Sequence, residues 1–298
     1  MSGHGAVVGT PGSDSIVGTL GPFTRSLRDL QLFCEAYSSA SPWVEDGSLV
    51  PTHILNPGFG PQLETTKYRP LRVGILYSDG IVNPLPPVRL VLKKTSQLLQ
   101  NSPMIRVKTF RALDHEVGWR VVAANYFEDG GKNLRDICDQ GQEPLLPLTE
   151  WILKQAETAL EATAPTAEGR RAARDAFRHQ YTEHWNEAEV DVVLAPVSPS
   201  TAPVLGTSMY WGYTAIWNLL QYPSVAFPAS SFIDGWKTAN LESEKYVPRT
   251  ETEKSIYKNY SSEVSQGLPV GLQVVARRLH EHNLLKAMHI IEHALKGN

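Results

Sequence analysis

Behind the breakers Gly267 and Pro269, the run Val270 to Val275 is apolar and β-branched, the pattern of a short buried strand. From Glu281 the period changes. Leu284, Met288, Ile291 and Leu295 recur at four- and three-residue steps, with Leu285 beside them, so one stripe of a helix is apolar. A buried strand, a polar turn and an amphipathic helix form an edge unit of a layered α/β domain. Gly271 inside the strand marks a place where another backbone or a ligand comes close.

The same alternation recurs upstream. Leu71 to Tyr77 reads as a strand ending in the turn Ser78-Asp79-Gly80, and Pro86-Pro87 can open a helix whose Val88, Leu92, Leu98 and Leu99 face a core. Ile105 to Phe110 is a second strand, and a strand–helix–strand unit of this length implies a parallel pair. Ser26 with Asp29 has the form of a capping box, which predicts a helix from Leu27 to Ser39. His115 to Phe127 reads as a helix closed by Asp129-Gly130-Gly131, and Glu150 to Glu189 as helical with a break at Ala164-Pro165-Thr166. Asp191 to Ala195 and Ser224 to Phe227 read as short buried strands, with a helical turn at Thr214 to Leu220 between them. The charged face of Arg170 to Arg178 is expected to be solvated. Residues 1–20 read as an irregular loop, Ser41 to Pro70 as a polar connection, and 230–266 as a surface excursion, all within one partial domain spanning 1–298.

Composition narrows the function classes. A formal net charge of −3 over 298 residues gives no pull toward nucleic acid or an anionic membrane. No apolar run reaches membrane-spanning length, and the start lacks a basic n-region and apolar h-region. The expected compartment is the cytoplasm, with Cys34 and Cys138 reduced on their helices.

Two short motifs invite chemistry and explain little. Gly12-Ser13-Asp14-Ser15 opens like a serine-nucleophile segment, but Ile16 and Val17 stand where a tight oxyanion turn needs residues without a Cβ. A polar loop is the preferred reading. His289-Ile-Ile-Glu-His293 spells an inverted zinc-protease motif, and its two histidines would share a helix face. A third ligand would have to come from the five residues that follow, and a solvated stripe of His and Glu explains the pattern as well. No metal or cofactor is therefore assigned.

Four stretches in order carry a resemblance. Gly21-Pro-Phe-Thr-Arg-Ser-Leu-Arg-Asp-Leu30, Asp191-Val-Val-Leu-Ala-Pro-Val-Ser-Pro199, Trp217-Asn-Leu-Leu-Gln-Tyr-Pro-Ser-Val-Ala-Phe-Pro228 and Gly267-Leu-Pro-Val-Gly-Leu-Gln-Val-Val275 resemble the amidase signature hydrolases, most nearly the fungal acetamidase-like branch. The resemblance implies an α/β fold, a mixed sheet flanked by helices on both faces, and hydrolysis of a carboxamide without metal or organic cofactor. It also implies a serine nucleophile, a lysine acting through a bridging serine, and a glycine-rich oxyanion turn. The Lys-Asp-Asn, Gly-Gly-Ser-Ser-Gly-Gly and Gly-Ser-Asp-x-Gly-Gly-Ser segments that carry those groups have no match in this chain. The resemblance thus covers the family's C-terminal half, and no catalytic residue is assigned.

Two functions are expected to compete, ahead of a third reading in which the chain is an active hydrolase with a reassigned nucleophile. One is the C-terminal portion of an amide hydrolase, inactive alone and taking a small amide substrate only when completed by an N-terminal half. The other is a non-catalytic binding fragment that associates with a partner, or with itself through an open sheet edge. The aromatic group Tyr210, Trp211, Tyr213 and Trp217 has two readings as well: core packing, or the wall of an acyl pocket that the resemblance places near the substrate.

Overall fold

The computed structural model describes residues 13–51, 63–66, 68–236 and 246–297. In chain order the elements are α1 (Leu27–Ser39), β1 (Leu71–Leu76), α2 (Pro86–Gln100), β2 (Ile105–Phe110), α3 (His115–Tyr126), α4 (Lys132–Gly141), α5 (Pro147–Thr163) and α6 (Ala167–Ala188). They continue with β3 (Val192–Pro196), α7 (Gly212–Leu220), β4 (Ser224–Pro228), α8 (Glu251–Lys258), α9 (Ser262–Ser265), β5 (Gly271–Val275) and α10 (Glu281–Lys296).

The strands form one sheet in the order β2-β1-β3-β5-β4. β1 pairs in parallel with both β2 and β3, as the crossover through α2 requires, whereas β5 runs antiparallel to both of its neighbours. The result is a mixed sheet with helices on both faces, as the sequence pattern and the resemblance imply. On one face Leu71, Val73 and Ile75 of β1 meet Val88 and Leu92 of α2 and Ile291 of α10. On the other face Leu76, Phe110 and Val193 meet Phe177, Tyr181 and Trp185 of α6 together with α7. Alternate residues of one strand thus serve two cores, which is why β1 and β3 read as near-continuous apolar runs. Gly74 faces the second core, where an added Cβ would sit 2.9 Å from Phe110 Cβ and 3.1 Å from Val190 Cγ1.

Three expectations need correction. β4 is not a buried strand. It is the sheet edge, with residues alternately exposed and half-buried, because no described strand pairs beyond it. The arginine face of α6 is not simply solvated: Arg170 is buried, and Arg174 Nη1 donates to the Ser15 carbonyl at 3.1 Å while Arg178 Nε donates to the Leu219 carbonyl at 2.6 Å. The 230–266 stretch is no plain surface excursion, since Ser230, Trp236, Tyr246, Glu253 and Ser265 are all buried. The helix expected around Cys138 is present as α4, which carries no buried residue. Residues 1–12, 52–62, 67 and 237–245 lie outside the described residues, and with them most of the 1–20 loop and part of the other two loop segments. Among the described residues, no helix is long and apolar enough to cross a membrane.

Candidate binding cleft

Parallel strands in an open α/β sheet gather their loops at the carboxyl ends, where ligands are usually held. At the end of β1 the chain turns through Ser78-Asp79-Gly80, and Gly80 takes φ +84°, a left-handed conformation natural to glycine. Asp79 is almost wholly buried. Its Oδ1 accepts from the backbone N–H of Ile81 at 3.0 Å and of Val82 at 2.9 Å, so the side chain closes its own turn. Its Oδ2 accepts a short hydrogen bond from the Tyr210 phenol. Burial raises the Asp79 pKa above the usual carboxylate range, and the phenol and backbone N–H groups pull against that rise. Burial, with the Asp79 charge beside it, drives the Tyr210 phenol upward, so Tyr210 keeps its proton.

The loop after β3 is held to the loop after β1 by Leu85 N–H, which donates to the Pro199 carbonyl at 2.7 Å. From α7, the Tyr213 hydroxyl donates to the Val82 carbonyl at 2.6 Å. From β5, buried Gln273 donates to the carbonyls of Pro196 at 2.8 Å and Tyr213 at 2.9 Å. Gly212 is required between the two tyrosines, because a Cβ there would run into the Tyr210 phenol and lie 3.0 Å from Asp79 Oδ2. Four separate stretches of chain are thus knotted at one end of the sheet.

The opposite wall comes from α8 and α9. Thr250 caps α8, accepting from Glu253 N–H at 3.1 Å, and the buried Glu253 carboxylate accepts from the backbone N–H of Arg249 at 2.6 Å and of Asn83 at 2.8 Å. Thr201 reaches across to Ser265 at 3.2 Å, and the Tyr246 hydroxyl donates to the Asn83 carbonyl at 3.1 Å. Between the walls lies a shallow cleft with about 50 Å³ of open space, lined by Leu85, the Ser198–Val204 loop, Tyr210, Ile256 and Val264 among others.

The aromatic residues singled out from the sequence separate here. Tyr210 lines the cleft, and Tyr213 is buried behind it. Trp211 sits apart, its ring edge-on to Trp151 at 5.3 Å and its Nε1–H donating to the Ser208 carbonyl at 3.0 Å. Trp217 belongs to the second core, edge-on to both Tyr181 and His115 at 6.2 Å. Ser15 is fully buried, bridging Glu128 and the Arg171 Nε at 3.2 Å, which fits a structural anchor better than a nucleophile. His289 shares a 2.6 Å hydrogen bond with Gln31, and Glu292 pairs with Lys296 at 2.9 Å. No cluster of three or more metal-ligating side chains occurs among the described residues. In sequence Asp79 reads as a plain turn residue, and Glu253 is signalled only by the Thr250-x-x-Glu253 capping pattern.

Comparison with known proteins agrees with this architecture. The amidase family model matches residues 2–285. The chain belongs to the amidase family. A Schizosaccharomyces pombe protein named as an amidase is 37% identical over 289 residues, which is 97% of this chain and 52% of that protein. The acetamidase of Emericella nidulans is 27% identical over 92% of this chain and 50% of its own length. The structure of a fatty acid amide hydrolase superposes with a TM-score of 0.84 at 28% identity, covering 99% of this chain and 51% of the other. The chain therefore spans about half the length of the amidases it matches.

Proposed function

We propose that this chain is the C-terminal portion of an amide hydrolase and contributes binding and scaffold surface, while the nucleophile, its lysine base and the oxyanion turn belong to the other half of the fold. The observation that carries this reading is the superposition of nearly the whole chain on about half of a fatty acid amide hydrolase. It is supported by the lack of any Lys-Asp-Asn or glycine-serine nucleophile segment among the 298 residues. Catalytic groups of this kind act as a unit, and little rate survives when all are removed together. Its substrate is a carboxamide, its product a carboxylate with ammonia or an amine, and its partner the N-terminal half of an amidase.

The test is ammonia release from acetamide, aryl amides and longer-chain amides. The purified chain is expected to stay at background, and co-expression with the N-terminal half of the Schizosaccharomyces pombe relative is expected to restore turnover. Clear turnover by the chain alone, abolished by Ser13→Ala or Ser15→Ala, would overturn the reading.

A further inference from the structure

Away from the cleft, at the amino ends of β1 and β2, a hollow of about 200 Å³ is lined by Tyr68, Arg69, Pro70, Arg72 and Arg106. Three of these five residues are arginines, in a chain whose formal net charge is −3. Arg72 and Arg106 are direct partners in the parallel register of β1 and β2, so two cationic side chains leave one sheet face, from strands roughly 4.8 Å apart. Like charges set opposite each other on neighbouring strands cost stability, and a bound anion offsets that cost. Arg72 has such an anion within the chain, since its Nη2 donates to Asp191 Oδ1 at 2.7 Å and its Nε to Oδ2 at 3.3 Å. Arg69 and Arg106 are exposed, and neither forms a salt bridge with a described residue. The acidic groups whose charge reaches Arg72 are Asp191 and Glu189. Glu189 also feels Arg106, but its salt bridge is to Lys108, at 3.0 Å. Lys108 is the next residue of β2 on the same face, and it donates to the Ala188 carbonyl at the end of α6 at 2.9 Å. Four cations thus face two anions, both already engaged.

We propose that this hollow binds a phosphate monoester with a flat organic body, its phosphate between Arg69 and Arg106 and its body against Tyr68 and Pro70. A guanidinium fork matches oxyanion oxygens two at a time, and a phosphate dianion satisfies two forks where a carboxylate satisfies one. The wall is not all charge, for the Tyr68 ring is 86% exposed and Pro70 stands beside it. Such a ring offers a face for stacking. Size favours the ester over the bare ion. One water needs roughly 10–15 Å³ measured in the same way, so a hollow of about 200 Å³ leaves room beyond a phosphate group. Nucleic acid would ask for a longer basic stripe than one five-residue hollow on an acidic chain. The length of β1 separates this hollow from the Asp79 turn, a span of roughly 20 Å. The two places therefore hold separate ligands, and this proposal stands apart from the amide-hydrolase reading.

Phosphorus NMR titration of the 298-residue chain at pH 8 and low salt, with phenyl phosphate and inorganic phosphate as probes, tests this. Phenyl phosphate is expected to bind about tenfold more tightly than inorganic phosphate, the gain coming from its ring. Both should weaken as salt rises. Arg69→Ala and Arg106→Ala, at exposed positions, should each weaken phenyl phosphate about tenfold or more. Lys154→Ala, exposed on α5, should leave it unchanged. Either arginine variant decides the matter if the other fails to fold. Equal binding of the two probes would overturn the monoester in favour of free phosphate. Binding of neither probe, phenyl phosphate binding unchanged in the arginine variants, or equal weakening by Lys154→Ala would overturn the hollow as the site. Displacement of phenyl phosphate by a lower concentration of a hexaglutamate peptide would overturn the small ligand in favour of an acidic protein segment.

Discussion

The Glu253 carboxylate has no exposed surface, yet it lies 2.8 Å from the guanidinium of Arg249, which stays half in solvent. Burial works against the charged form, but the Arg249 hydrogen bond and the backbone N–H groups of Asn83 and Arg249 outweigh it and hold the pKa below the usual glutamate range. Removing the carboxylate leaves those N–H groups unpaired under α8, at a cost of about 2–3 kcal/mol. Glu253→Ala is therefore expected to loosen the α8 wall before the sheet, seen as faster amide exchange over residues 246–265 with β1 and β3 still protected. Because the folded pKa is depressed, this contribution is complete above the unfolded glutamate value of about 4.3 and fades as pH falls through the folded value. Uniform acceleration across the chain would show that the pair holds the whole fold rather than one wall.

His115 gives a second, separable acid sensitivity. It lies buried beside Tyr181, 3.0 Å from the phenol oxygen, with Nδ1 lacking a partner among the described residues. Burial, aided by nearby His184, lowers its pKa to about 3. The folded state thus keeps His115 neutral while the unfolded chain protonates it below about 6.5. Stability is full above that pH and is expected to fall by up to about 1.4 kcal/mol per pH unit on acidification toward the folded value. Denaturant midpoints measured between pH 7 and pH 4 should show the slope, and His115→Phe should flatten it. An unchanged slope in the variant would place the sensitivity elsewhere.

The sheet was legible from the chain because burial on two faces writes itself as runs such as Leu71-Arg-Val-Gly-Ile-Leu76 and Val192-Val-Leu-Ala195. The α10 stripe was equally clear. Three features escaped for physical reasons. β4 reads as buried because Val225, Ala226 and Phe227 are apolar, and an apolar strand does not announce whether a neighbour lies beyond it. The arginines of α6 read as solvated because nothing local shows that Ser15, more than a hundred residues earlier, lies beneath them. Asp79 reads as an ordinary turn residue because its decisive partner, Tyr210, is 131 positions away. Local pattern reports local burial; it does not report which distant polar group completes a site.

The two aromatic roles predict losses of different size. Trp217 is packed against Tyr181, His115 and Tyr222, and its Nε1 lacks a hydrogen-bond partner among the described residues. Trp217→Ala should cost about 3–5 kcal/mol, as loss of a large core ring does. Tyr210→Phe removes one donor from Asp79 and leaves its two backbone N–H groups, so about 1–2 kcal/mol is expected. Chemical denaturation of the two variants checks the order. A Trp217→Ala protein as stable as the parent would return Trp217 to the list of wall residues.

The sheet has two outer edges, and they differ in chemistry. β2 carries Arg106 and Lys108, the latter paired with Glu189 at 3.0 Å, and charged residues at an edge discourage a second strand. β4, Ser224-Val-Ala-Phe-Pro228, carries no charge, and its residues stay exposed or half-buried. An uncharged apolar edge with free backbone groups is a template for pairing. The chain is therefore expected to self-associate through β4, or to accept a strand from the N-terminal half of an amidase there. Ala226→Lys places a charge in the middle of that edge at an exposed position, with little expected effect on the fold of the monomer. Light scattering at rising concentration should show association for the parent and less for Ala226→Lys, with matching melting curves at high dilution. Equal association in both would move the contact away from β4, and a parent chain that stays monomeric and melts reversibly would mean that this edge is already closed.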